Sequence, residues 1–280
     1  MKILILIFLL GTHSPLLAQI GFGGNLNDDV SSFEAETKQL NQFMRRFNAE
    51  EDKKGERYYQ ERDSMFRNIA LRQKYIPLLF DNQSSVISTD LKKDFMEDIT
   101  QKQKFLDFGG GKWFAEASAI FLYKKKEVEV KLFLQIEEET GGFKWVLSNV
   151  YFPEFNNLFG ADPNSEPNRM KFLHPLSHEL DFMDLRKVFG DPRFVESFNA
   201  KNKDIDYLSI FEYEVKRGNL QFETVQSVKY HFFQVENWYF EVSYYNRSGY
   251  NRGWLISSLS PVSPKDAWRF EKFIQTRKRY

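Results

Sequence analysis

From Val128 to Ile136 an aliphatic residue recurs at every second position: Val128, Val130, Leu132, Leu134 and Ile136 alternate with Glu129, Lys131, Phe133, Gln135 and Glu137. Successive side chains of a strand point to opposite faces, so this period of two specifies a β-strand with one buried face. Such a strand cannot stand alone, because its backbone groups need partners and its apolar face needs a cover. Partners lie on both sides. Trp113–Tyr123 joins it through Lys124-Lys125-Lys126, and Phe143–Phe152 joins it through Thr140-Gly141-Gly142. The expected product is an antiparallel meander packed by helices.

The helices are read from a different period. Phe33, Leu40, Phe43, Met44 and Phe47 make one apolar stripe between Ser32 and Asn48. A second helix runs from about Asn68 to Tyr75, before Pro77. A third follows Thr89 as N-cap, with Leu91, Phe95, Met96 and Ile99 on one side. Residues 153–177 break the rhythm with Pro153, Pro163, Pro167, Pro175 and Gly160, and read as a linker or functional loop. Helices then return at Ser177–Phe189 and Asp204–Arg217, the latter ended by Gly218. Strands follow at Val225–Val235, Trp238–Tyr245 and Trp254–Leu259. Ser263-Pro264 opens a last helix with Ala267, Phe270, Phe273 and Ile274 facing inward.

The two halves share an order, helices first and then a meander. Glu129-Val130 and Trp145-Val146-Leu147-Ser148 match Glu241-Val242 and Trp254-Leu255-Ile256-Ser257 in strand parity. The expected fold class is α+β, with two cone-like modules in tandem: residues 19–152, a connector at 153–177, and residues 178–280. The alternative is one α+β domain whose sheets share composition.

The first 18 residues have the anatomy of a secretory signal: Lys2, then the apolar run Ile3–Leu10, then Leu16 and Ala18 before a cut that leaves Gln19 first. The run is too short for a bilayer core of about 30 Å. A buried N-terminal strand is the competing reading. No Cys follows the cut, which excludes a lipid anchor and a disulfide framework. No later stretch reaches the length of a transmembrane segment, so the expected product is soluble and exported, periplasmic or extracellular. Lys and Arg total 39, as do Asp and Glu, and losing Lys2 leaves a net charge of −1. That balance gives no case for nucleic acid as a partner. Aromatic residues make up 17%, with 29 Phe, ample material for a core without disulfides.

Helices followed by a curved meander resemble the cone fold of the nuclear transport factor two and ketosteroid isomerase superfamily, over about residues 32–152 and more loosely 177–280. The runs Asn41–Asn48, His174–Met183 and Asn246–Asn251 resemble a family of exported proteins of gut-type Gram-negative bacteria. That family carries no assigned function. The resemblance implies export and supplies no mechanism, whereas cone-fold enzymes imply an acid or base inside the cone.

Candidate chemistry is sparse. His174 and His178 stand four apart, but Pro175 disfavours helical geometry at His174, so no metal site is expected. Gly109-Gly110-Gly111-Lys112 lacks the hydroxyl of a phosphate loop, since Trp113 stands there; a turn is the expected role. No cofactor motif and no catalytic residue is assigned. His231, mid-strand near Tyr230 and Glu241, is the pocket candidate for a cone-fold enzyme, and a hydrogen-bonded core histidine is its plainer reading. Alternation puts Trp238, Phe240, Val242 and Tyr244 on one face and Tyr239, Glu241, Ser243 and Tyr245 on the other. The connecting segment, residues 246–253, carries Arg247, Tyr250 and Arg252, residue types enriched where surfaces bind. Trp238, Tyr245, Arg247, Tyr250 and Arg252 are therefore the expected ligand or partner surface. The expectation is a non-catalytic exported binding or assembly protein of the bacterial envelope, with an unknown envelope protein or glycan as partner. A glycan-binding module on the Trp238–Trp254 hairpin and a cone-fold enzyme using His231 are the alternatives.

Overall fold

A computed structural model describes residues 40–52, 55–155, 189–190, 195, 198, 205–249 and 251–277. Its centre is a pair of long strands, β1 (Trp113–Tyr123) and β4 (Leu220–Phe232), which run antiparallel with Trp113 opposite Phe232 and Tyr123 opposite Leu220. On the outer side of β1 lie β2 (Lys126–Glu139) and β3 (Gly142–Tyr151). On the outer side of β4 lie β5 (Trp238–Tyr245) and β6 (Gly253–Pro261). The strand order is β3-β2-β1-β4-β5-β6, and every pairing is antiparallel. The fold is α+β. Two meanders, one from each half of the chain, are hydrogen-bonded side by side into one sheet. Of the expected connector, only Pro153, Glu154 and Phe155 lie among the described residues, and Phe155 is buried against Phe152.

The helices are α1 (residues 40–48), α2 (Ile69–Tyr75), α3 (Thr89–Gln101), α4 (Tyr207–Lys216) and α5 (Ala267–Thr276). Pro77 is accommodated in a 3-10 turn, Ile76–Leu79, which follows α2 directly. The N-cap of α3 is Ser88, whose Oγ accepts from the Leu91 amide at 3.2 Å, rather than Thr89, which becomes the first helical residue. Asp206 caps α4 by accepting from the Ser209 amide at 3.1 Å.

Three aromatic-rich layers hold the molecule. α1 and α3 bury Phe43, Phe47 and Phe95 on one sheet face, chiefly against the C-terminal meander: Phe47 stacks on Phe240, and Phe95 meets Trp238 edge-on at 5.2 Å. α4 inserts Phe211 at the other end of this face, against Phe121, beside Val130, Val150 and Phe152. On this face, Phe47 and Phe95 of the N-terminal half thus pack on the C-terminal meander, and Phe211 of the C-terminal half packs on β1. The face is concave. Trp145 of β3 and Tyr230 of β4 are three strands apart, about 14 Å on a flat sheet, yet their rings lie 6.4 Å apart.

The opposite face is not left to solvent. α5 lays Phe270 and Ile274 on Phe114, Phe133, Tyr239 and Phe233. Phe133, on the face that alternation left outside, is fully buried. A strand with one buried face was the expectation; β2 instead buries residues of both faces where α5 lies over it.

Candidate functional site

Among the described residues, two of the places that bring polar groups together involve side chains singled out from the sequence. The first is the tip of the β5–β6 hairpin, which closes on the segment after the 3-10 turn. Phe80 bridges Ile256, and the Asp81 amide donates to the Ile256 carbonyl at 3.0 Å. Asn251 is buried and serves as the hub. Its Nδ2 donates to the Phe80 carbonyl at 2.8 Å, and its Oδ1 accepts from the Asn82 amide at 2.9 Å and from Arg247 at 2.7 Å. Arg247 also donates from Nε to the Asn251 carbonyl at 2.7 Å and from Nη2 to Asp81 at 2.6 Å, with its guanidinium 4.5 Å over the Tyr245 ring. Burial pushes the Asp81 carboxyl up, but Arg247, the Gln83 amide and the Tyr245 hydroxyl outweigh it and hold the group below the usual carboxylate range. Burial and Asp81 raise the Tyr245 phenol.

This geometry revises the surface read from the sequence. Arg247 is largely turned inward: its side chain is 22% exposed, and Nε and Nη2 are bonded inside the molecule. Trp238 is 9% exposed, and its indole N–H donates to Asp98 at 3.1 Å, so it belongs to the core and offers no stacking face for a sugar. Trp254 is likewise buried, between Tyr230 and Tyr244. Tyr245 is half-buried, Arg252 is exposed, and Tyr250 lies outside the described residues. Tyr244, placed with Trp238 by alternation, is 40% exposed beside the loop that closes the hairpin.

The second place is the layer between the sheet and α5. Glu116 is a charged residue in the otherwise uncharged run of β1, and the β1–β4 register sets it opposite Lys229 and diagonal to His231. His231 Nε2 lies 3.1 Å from Glu116 Oε2, and Nδ1 lies 2.7 Å from the Tyr239 hydroxyl. An ionised carboxylate can only accept, so Nε2 carries a proton. In the neutral ring Nδ1 then accepts from Tyr239. Lys131 Nζ reaches Glu116 Oε1 at 3.0 Å, and Arg277, just past α5, lies 3.3 Å from both carboxylate oxygens. Burial pushes the Glu116 carboxyl up; hydrogen bonds and charge from His231 and Lys131 reverse this and bring it down to about 2. Burial, with Glu241 and Glu116 nearby, raises the Tyr239 phenol far above its ordinary range.

His231 is therefore not at the base of an open cone. It is 2% exposed, stacked 4.8 Å from Phe114, with both ring nitrogens occupied. Tyr230 faces the opposite layer, while Glu241 is the cross-strand neighbour of His231. Lys131 connects this layer to a cleft of about 250 Å³ that it lines with Val128, Glu129, Tyr151, Pro153 and Glu154. Sequence reading missed Glu116, Lys131, Arg277 and Asp81. Of these only Glu116 left a signal, as a lone charge amid Phe114, Ala115, Ala117 and Ala119. Gly109–Lys112 is the turn before β1, in which the Asp107 carboxylate accepts from the Gly109 amide at 2.9 Å. His174 and His178 lie outside the described residues.

Among the described residues no helix is long and apolar enough to cross a membrane. Comparison with protein-family models, with curated proteins and with solved structures finds no match to this chain.

Proposed function

We propose that the protein is a non-catalytic binding or assembly component exported to the bacterial envelope, and that it recognises a partner protein through the β5–β6 tip. The observation that carries this reading is the bracing of that tip. Arg247, Asp81 and Asn251 fix the loop from beneath, while Tyr244 and Arg252 are presented to solvent. A loop held in one shape loses little freedom on binding, and Tyr and Arg are the residue types that concentrate interface energy. Residues 1–18 support export by their signal-like order.

A partner protein is favoured over a glycan because both Trp rings of the hairpin are buried. Binding is favoured over catalysis because the His231 cluster is covered by α5 and its hydrogen bonds are matched within the molecule. The strand order also favours a tandem duplication of a helix-and-meander unit. β1, β2 and β3 correspond to β4, β5 and β6 across the central pair, and Val130 and Val242 are both buried on the concave side.

The test is the double variant Tyr244→Ala/Arg252→Ala in the exported protein. Surface changes shift stability by about 0.5 kcal/mol or less, so its melting temperature stays near wild type. The reading expects loss of the partner that co-purifies from the envelope with the wild-type chain. Undiminished co-purification, or unfolding of the variant, contradicts it.

A further inference from the structure

The groups beneath α5 form a hydrogen-bonded series that runs from a phenol through an imidazole to a carboxylate, and this series is completed before α5 is counted. Glu116, Ser118, Lys131, His231 and Tyr239 all belong to the sheet. Lys131 bonds Glu116 and also Ser118 at 3.3 Å, and pairs with Glu129 at 3.5 Å. Glu241, the cross-strand neighbour of His231, is paired with Lys229 at 3.1 Å and bonded by Ser257 at 3.2 Å. To Glu116 the end of the helix adds one charged group, Arg277, and takes it away again if it leaves. Glu116 would then still hold His231 and Lys131, so removing the helix strands no buried carboxylate without a partner.

The seating of α5 is correspondingly narrow. Phe270 and Ile274 fill the layer; Gln275 accepts from Asn149 at 3.4 Å; Arg277 reaches Glu116. Trp268 is 54% exposed. The first turn has no side-chain cap hydrogen bond, and Arg277 itself adopts a left-handed conformation with φ 56°. An element with few buried anchors is the kind that opens below the global unfolding free energy.

We propose that α5 is a detachable strap, fastened by the Arg277–Glu116 ion pair, whose release exposes the Tyr239–His231–Glu116 series while the six-stranded sheet stays folded. Closed, the strap keeps the series out of water. Open, it presents a phenol, an imidazole and a carboxylate in line, next to the ammonium of Lys131.

Native-state hydrogen exchange with mass-spectrometric readout tests this on the full exported chain, as wild type, Arg277→Ala and Arg277→Lys. In Arg277→Ala the amides of residues 267–276 should exchange about tenfold faster. Residues 113–123 and 220–232 should keep wild-type protection. Arg277→Lys should fall closer to wild type, because the charge is retained and the fork is lost. Acylation of His231 by diethyl pyrocarbonate, read on its own peptide, should rise in step. Unchanged exchange in α5 overturns the proposal. So does joint loss of protection in α5 and the central strands, which would make the helix part of the core. Faster exchange in α5 with His231 still unreactive also overturns it, since release would then expose nothing.

Discussion

Arg277 and Glu116 stand 161 positions apart in the chain, yet the guanidinium lies 3.3 Å from both oxygens of the carboxylate. The contact joins the last described residue to the centre of β1. Around that one carboxylate the fold gathers β2 through Lys131, β4 through His231 and the end of α5 through Arg277. A buried charge is tolerated on this scale only when its lone pairs are all used.

Acid should therefore test Glu116 directly. Its folded carboxyl is held at about 2, against an ordinary value of 4.5. The stability it contributes is present above the unfolded value and is lost as pH falls from about 4.5 towards 2. The shift corresponds to about 3 kcal/mol. Urea unfolding of Glu116→Gln should show lower stability than wild type at pH 7, and the gap should narrow by pH 3. A gap that stays constant over this range would mean that the variant acts by packing and not through the ionised group.

Arg72 should be among the most sensitive single positions in the chain. It is fully buried, and it donates to the Phe47 and Ile99 carbonyls, both at 3.1 Å, and to the Lys104 carbonyl. Two of these carbonyls lie in the last turns of α1 and α3, where the helix dipole favours a cation. Burial, with Arg67 nearby, lowers its pKa to about 10, still a cation at neutral pH. Arg72→Met leaves these acceptors without their donor and should cost about 3 kcal/mol or more. Arg72→Lys should rescue little, because one ammonium cannot reproduce the fork. Chemical denaturation of the two variants checks this.

Asn251→Ala removes the hub of the hairpin tip. The Phe80 carbonyl, the Asn82 amide and one bond of Arg247 lose their partner together. A stability loss of about 2 kcal/mol is expected. The amides of 246–252 and 80–82 should exchange faster, with β1 and β4 unaffected. Equal loss throughout would show that the tip is not a local unit.

The crossed packing has its own consequence. Phe95 of the N-terminal half fills the C-terminal meander, and Phe211 of the C-terminal half fills the N-terminal one. Residues 19–152 and 178–280 produced separately should each lack cooperative unfolding, and mixing them should restore it. A fragment with its own sharp thermal transition would contradict the shared core.

What the sequence made legible follows from period and punctuation. β1 and β5 have the bounds that alternation and turn residues mark, because both end at Gly- or Lys-containing turns. β4 begins at Leu220, earlier than the expected Val225, because exposed Gln221 and Glu223 hide its first residues from an apolar count. Alternation sorted Trp238 and Tyr239 onto opposite faces correctly. It could not say that helices cover both faces there, and so it left Trp238 as a surface candidate. The inward bonding of Arg247 was illegible for a related reason: its partner Asp81 lies 166 positions away, and only the fold brings them together. Glu116 was visible as a charge inside an apolar strand, but its pairing with His231 depends on the β1–β4 register, which no local pattern encodes.

The most direct measurement of the central claim is site-specific photo-crosslinking in living cells, with a photoreactive amino acid placed at Tyr244 and, as control, at exposed Glu212 on α4. One discrete crosslinked partner is expected from position 244, absent from position 212 and lost when Arg252→Ala is added. Equal crosslinking from both positions, or none from position 244 in correctly folded protein, would contradict a recognition surface at the β5–β6 tip.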